Sequence, residues 1–301
     1  MERAPIILFV YNRPYHTQKT LEALKKNILA QESELFIFSD GPKSEKALES
    51  VEEVRSIIHA IKGFKNVTIF EQITNQGLGK SVIEGVTKVL NSYKCVIVLE
   101  DDIVTTPNFL SFMNMALATY STNTKVFSVT GYALPIEIPK NYSLPVYLSY
   151  RGSSWGWAIW KDRWDSIDWE IKDKAYFLSH VEHQKDFNKG GGDLSNMLKR
   201  QFKGQIDSWA IRFAYNAFKK NMLHITPRHS KVQNIGHDNS GVHSNKTTHY
   251  EVTLIQDEKN SDLPIVIPFN QEINDAIYNI FKKPWYKKFG VRLLRFFKLV
   301  R

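Results

Sequence analysis

Short apolar runs alternate with helical stretches through the first 130 residues, and few folds accept that rhythm. The runs Ile6 to Tyr11, Leu35 to Ser39, Val67 to Glu71, Cys95 to Leu99 and Val126 to Thr130 are rich in β-branched and aromatic side chains. Runs of this kind read as strands, and unbroken apolar character reads as burial on both faces. Between them, Pro14 to Leu29, Ser44 to Ile61, Gly79 to Asn91 and Pro107 to Tyr120 read as helices. In the first of these, Leu21, Leu24 and Ile28 recur at helical spacing with Ala23 beside them. The fold class expected is α/β, a mostly parallel sheet with helices on both faces.

Ligands of such sheets bind beyond the carboxyl ends of the strands, so the residues placed there are the first candidates for chemistry. The first strand ends in Asn12-Arg13-Pro14 and the second in Ser39-Asp40-Gly41-Pro42. Arg13 can meet a base or phosphate or form a surface ion pair, and Asp40 can accept from a base N–H or shape a turn. Asn75-Gln76-Gly77-Leu78-Gly79-Lys80 opens the third helix. Helix-start N–H groups there attract anions, yet the spacing is neither a P-loop nor a dinucleotide fingerprint, and a structural turn reads equally well. The fourth strand ends in Glu100-Asp101-Asp102, three consecutive carboxylates projected from a buried run. They suit a cation or a ribose hydroxyl, or a solvated turn before the helix at Pro107.

Composition narrows the classes. A chain of 301 residues with 43% hydrophobic content holds one large α/β domain with additions, or two modest domains sharing a cleft. Cys95 has no second cysteine to pair with, so nothing favours an oxidising compartment. The amino-terminal apolar run before Asn12 is too short for a signal-peptide core or a membrane span, and a cytoplasmic protein is expected. The net charge is +9, but Lys282, Lys283, Lys287, Lys288, Arg292, Arg295, Lys298 and Arg301 supply most of it, leaving a nearly neutral body. No basic stripe runs through that body, which argues against nucleic acid as a partner.

Taken in order, the four strand ends resemble the nucleotide-sugar-binding half of GT-A glycosyltransferases. Glu100-Asp101-Asp102 is similar to the Glu-Asp-Asp form of the DxD motif in the inverting N-acetylglucosaminyltransferase I family, and the chain also resembles bacterial surface-polysaccharide sugar transferases. The resemblance runs from residue 4 to residue 245. It implies that Asp102 ligates Mn²⁺ or Mg²⁺ on the donor diphosphate, with Glu100 and Asp101 facing ribose and sugar. It also implies donor contacts from Arg13, Asp40, Asn75 and Gly79, Arg13 and Asp40 reaching the base.

Beyond residue 131 the rhythm fades and Trp155, Trp157, Trp160, Trp164 and Trp169 crowd together. At least half of them are expected in the core. Gly152 to Trp160 resembles the segment beneath the family's acceptor site, which marks Trp155 and Trp157 as acceptor-binding rings. Helices are expected at Leu194 to Phe202 and Ser208 to Lys220. Asp207, in Gln205-Ile206-Asp207-Ser208-Trp209, aligns with the family's catalytic base, although an Asp there also suits a helix N-cap. The loop Asn234 to His243 resembles one that closes over the donor, with Ser240 hydrogen-bonding it and His243 meeting phosphate or metal, while His237 reads as a competing ligand or a solvated loop residue. Residues 284 to 301 read as an amphipathic helix, with Phe289, Leu293, Phe296, Phe297 and Val300 opposite the basic side chains, suited to an anionic membrane surface.

The organisation expected is a nucleotide-sugar-binding part at 1–130, an acceptor-binding and catalytic part at 131–270, and a membrane-associating tail at 271–301. The function expected is metal-dependent, inverting transfer of a sugar from a UDP-linked donor to a glycan or lipid-linked acceptor in bacterial surface-polysaccharide synthesis. Its place would be the inner face of the plasma membrane. A sugar nucleotidyltransferase and a non-catalytic carbohydrate-binding protein are the alternatives. The first lacks the expected glycine-rich Arg-Lys loop near the start, and the second has no need of an acidic triplet.

Overall fold

The computed structural model describes residues 3–238, 247–256 and 262–282. Its first half runs β1 (Ile6–Val10), α1 (Pro14–Lys25), β2 (Glu34–Ser39), α2 (Leu48–His59), β3 (Asn66–Glu71), α3 (Leu78–Leu90), β4 (Cys95–Glu100), β5 (Ile103–Thr105), α4 (Phe109–Thr119) and β6 (Val126–Thr130). Then follow β7 (Val146–Ser149), β8 (Trp157–Trp160), α5 (Lys161–Asp165), α6 (Lys174–Ser179), α7 (Val181–Phe187), α8 (Leu194–Phe202), α9 (Trp209–Lys219), β9 (Leu223–Pro227), β10 (Val232–Asn234) and α10 (Gln271–Ile280).

One eight-stranded sheet, in the order β3-β2-β1-β4-β8-β6-β9-β7, carries the molecule. Only β8 and β7 run against the other strands. Period-two alternation shows directly how both faces are buried. Ile6, Leu8 and Val10 of β1 join one core cluster, while Ile7 and Phe9 join the other. β4 divides likewise, Ile97 and Leu99 to the first side and Val96 and Val98 to the second. The first core packs α1 and α4 against the sheet, and the second packs α3 and α9.

The tryptophan-rich segment of the sequence forms β8. It is a central strand, paired with β4 on one side and β6 on the other. Trp157 and Ile159 enter one core, Ala158 and Trp160 the other. The sheet therefore crosses the boundary drawn at residue 130 without a break. Helix α10, which opens the segment assigned to the tail, packs Ile273 and Ile277 against Tyr142 and Tyr147. Asn274 fastens it further, donating to the Leu148 carbonyl at 3.0 Å and accepting from the Tyr150 N–H at 3.1 Å. The basic stretch 284–301 lies outside the described residues. Among those described, no helix is long and apolar enough to cross a membrane.

Candidate active site

The carboxyl ends of β1, β2 and β4 and the start of α3 sit side by side, as the parallel register requires. Glu100 closes β4 opposite Phe9, and Asp101 and Asp102 form the turn into β5. The turn is pinned from two directions. Thr20 of α1 donates its hydroxyl to the Asp101 carbonyl at 2.7 Å, and Ile235 donates its N–H to the Asp102 carbonyl at 2.9 Å. The second bond extends the antiparallel ribbon of β5 with β10, which carries residues 235–238 onto the triplet. Gly236 makes that approach feasible, because a Cβ there would overlap Asp102 Oδ2 and lie 2.8 Å from an Arg13 nitrogen.

Arg13 precedes Pro14 at the first position of α1 and makes no cap with its side chain. Its guanidinium instead grips both aspartates, through Nε to Asp101 Oδ2 at 3.3 Å, through Nη2 to Asp101 Oδ1, and through Nη2 to Asp102 Oδ2 at 3.0 Å. Burial opposes the charge on Arg13, but the two aspartates outweigh it and raise its pKa. Burial, with Asp102 and Asp101 adding to it, pushes Glu100 up to about 8. Burial likewise raises Asp101, against the pull of Arg13. Asp102 Oδ1 is buried and has no hydrogen-bond partner among the described residues. An orphaned carboxylate oxygen is costly, and a hard cation is the natural group to satisfy it. Such ions commonly take one or two carboxylates and complete their shell with substrate phosphates and water, so this donor set fits Mn²⁺ or Mg²⁺. Among the described residues no group of three His, Cys, Asp or Glu side chains converges on one point.

Asp40 stands at the end of β2 as expected, but its carboxylate is already engaged. Its Oδ1 accepts from the N–H groups of Gly41 and Gln76, both at 2.8 Å, and its Oδ2 from Gly77 N–H at 3.0 Å and Asn75 Nδ2 at 2.9 Å. A carboxylate offers about four lone-pair sites, so none is left for a base. Asp40 organises the loop into α3, and the direct base contact read from the sequence gives way to this role. Asn75 is committed likewise, its amide also donating to the Gly41 carbonyl at 3.0 Å. Gly77, at φ 79°, makes the bend that starts α3.

Gly79 also has a different use from the phosphate contact read for it. A Cβ at this position would lie 2.7 Å from Asp207 Oδ2, so the bare glycine is a seat for that carboxylate. Asp207 is exposed over 64% of its side chain and accepts from Arg212 Nη2 at 3.0 Å. It does not cap α9. Ser208 does, accepting from the Ile211 N–H, and the Asp207 carboxylate is not needed for the cap.

Of the five clustered tryptophans, Trp157, Trp160 and Trp164 are buried. Trp157 is 1% exposed and stacks on Trp209 at 4.9 Å, so it has no face to offer an acceptor. Trp155 is partly exposed and stands at the site, with His237 at 5.2 Å and Tyr132 at 4.4 Å between ring centroids. His237 had been read as solvated. Both its ring nitrogens are buried without hydrogen-bond partners among the described residues, and its ring packs against Trp155 and Tyr250. His16, which the sequence did not single out, pairs with Asp238 Oδ2 at 3.1 Å and ties α1 to the same loop. Ser240 and His243 lie outside the described residues.

Residues 6–132 match the family model described as glycosyl transferase family 2. No curated protein matches. Solved structures similar to the chain include the mannosyltransferase PcManGT from Pyrobaculum calidifontis in complex with GDP-Man and Mn²⁺, at 12% identity and TM-score 0.37. That alignment covers 53% of this chain and 45% of the mannosyltransferase. TarS from S. aureus aligns at 13% identity and TM-score 0.43, covering 76% of this chain and 36% of TarS. An active-site mutant of LgtC aligns at 10% identity and TM-score 0.40, covering 73% and 72%. The chain thus spans less than two thirds of the mannosyltransferase and of TarS.

Proposed function

We propose that the protein is a glycosyltransferase with the GT-A fold, its family 2 match spanning residues 6–132, and that it transfers a sugar with inversion from a UDP-linked donor to a hydroxyl of a glycan or lipid-linked acceptor. The observation that carries this reading is the buried Oδ1 of Asp102, without a hydrogen-bond partner among the described residues, at the carboxyl end of a central parallel strand. Donor-binding sheets of this class present their ligands there.

In this reading Asp102 holds a divalent ion, Mn²⁺ or Mg²⁺, together with the donor diphosphate. When bound, that ion offsets the negative charge gathering on the leaving nucleoside diphosphate. Arg13, its guanidinium held by Asp101 and Asp102, faces the same diphosphate rather than the base read for it from the sequence, and Glu100 and Asp101 face ribose and sugar. Asp40 and Asn75 keep the loop before α3 in shape. Asp207 takes the proton of the acceptor hydroxyl as the acceptor oxygen bonds to the anomeric carbon and the carbon–oxygen bond to the diphosphate breaks on the opposite side. Trp155 offers a ring to the acceptor sugar. Residues 1–130 supply donor binding and 131–270 the acceptor side, joined by one sheet. Ser240 and His243 close over the donor, with His243 on phosphate or metal. The basic stretch 284–301 rests on an anionic membrane, where lipid-linked acceptors for surface polysaccharide are found.

The test is a panel of UDP-, GDP- and dTDP-sugars, each assayed for donor hydrolysis and transfer with and without Mn²⁺. At least one UDP-sugar should be consumed only with the metal, releasing UDP. Synthesis of a nucleotide sugar from a nucleoside triphosphate and a sugar phosphate would point to a nucleotidyltransferase instead. Sugar binding without any donor binding would point to a carbohydrate-binding protein. For the tail, deleting residues 284–301 should abolish sedimentation with anionic liposomes, and unchanged sedimentation would refute the membrane role.

A further inference from the structure

We propose that Arg13 is a built-in competitor of the divalent cation for Asp102, so that cation and donor bind cooperatively. The inference rests on the reading of Asp102 as the cation's ligand, and it adds a specific task for the arginine beside it.

Arg13 is held by geometry on all sides. Pro14 fixes the start of α1 behind it, and the backbone at Gly236 stands so close to the guanidinium that even a methyl group there would be 2.8 Å from Nη1. Within that space Nη2 reaches both aspartates. Asp102 therefore has one oxygen engaged by a positive charge and the other without a partner among the described residues. A divalent ion approaching the free oxygen meets a guanidinium bound 3.0 Å from the other oxygen of the same carboxylate. Two like charges that close, in a site where both aspartates are at least nine-tenths buried, repel with little screening.

Arg13 must then give up Asp102, but it need not leave the site. Its Nε and Nη2 contacts to Asp101 keep it tethered. A tethered guanidinium with donors released from one carboxylate is matched to an incoming diphosphate, which accepts in the same forked geometry. The donor therefore lowers the cost of displacing Arg13, and by linkage the cation and the donor each strengthen the other's binding by one and the same factor. Bound alone, the cation has to overcome the arginine unaided.

The experiment measures binding of Mn²⁺ alone, by electron paramagnetic resonance of the free ion, to the full chain, to Arg13→Met and to Arg13→Lys. It is repeated with UDP present. Removing the competitor should tighten Mn²⁺ binding to Arg13→Met about tenfold, a change of about 1.4 kcal/mol. UDP should improve Mn²⁺ affinity in this variant by a smaller factor than in the wild type. Arg13→Lys, which keeps one charge but loses the forked bridge, should bind Mn²⁺ more tightly than wild type by a smaller factor, and serves if the Met variant does not fold. Unchanged or weaker Mn²⁺ binding in both variants overturns the proposal while leaving Asp102 as a ligand. Absence of Mn²⁺ binding to the wild type, with and without UDP, overturns the reading of the triplet on which it stands.

Discussion

At the scale of single residues, the proposed chemistry depends on an exposed carboxylate resting on a helix that lacks a side chain at the point of contact. Asp207→Asn keeps the shape and the Arg212 contact but cannot accept the acceptor's proton. Transfer should fall by about 10²- to 10⁴-fold with donor affinity unchanged, measured by transfer kinetics beside calorimetry. Gly79→Ala tests the seat. Its methyl would overlap the Asp207 carboxylate, so turnover should drop while donor affinity stays within about twofold, since a small misplacement of a catalytic group costs rate before binding. Full activity in both variants would remove Asp207 from the mechanism. Gly79 and Asp207 each stood out in the sequence, but their contact did not, because the two come from distant parts of the chain. The same holds for Gly236 and His16, whose partners are set by the β5–β10 ribbon and the packing of α1. Glu100, Asp101 and Asp102 were legible because strand and turn are contiguous there.

At the scale of elements, β8 explains why tryptophan is a poor pointer to a sugar site. A strand buried on both faces needs large apolar side chains in alternation, and Trp157, Ile159 and Trp160 meet that need before any ligand does. Trp157→Ala should destabilise the fold by roughly 3–5 kcal/mol, read from denaturant unfolding. Trp155→Ala should leave stability nearly unchanged and raise the KM for acceptor. The reverse pattern would place the wrong ring at the site. The strands β1, β2, β3, β4 and β6 were readable from local apolar runs and came out within a residue or so at their ends, whereas the three-residue β5 was not read. Those of the second half were not, since β7, β8 and β9 are short and their pairing partners lie far away in sequence. Asp40 shows the same limit within a loop: its position was legible, but four donors converging on it depend on a fold already formed.

On the scale of the whole molecule, one sheet joins the proposed donor and acceptor sides, and its far half contains a buried histidine. His224 on β9 meets the Ser128 hydroxyl at 2.8 Å through Nδ1, and its Nε2 has no hydrogen-bond partner among the described residues. Burial pushes it down to about 4 from the usual 6.5. The unfolded chain therefore binds this proton first. Stability should be intact above about pH 6.5 and decline as the pH falls towards 4, by roughly 3 kcal/mol from this group. Urea unfolding of wild type and His224→Leu across that range should show a shallower decline in the variant. Equal slopes would assign the acid sensitivity elsewhere.

The central claim is that Asp102 joins donor binding to a divalent cation, and calorimetric titration of UDP in the presence of Mn²⁺ tests it most directly. Wild type should bind UDP more tightly with Mn²⁺ than without, and Asp102→Ala should lose that Mn²⁺-dependent gain while remaining folded. Equal Mn²⁺-dependent affinity in the two proteins would contradict the account.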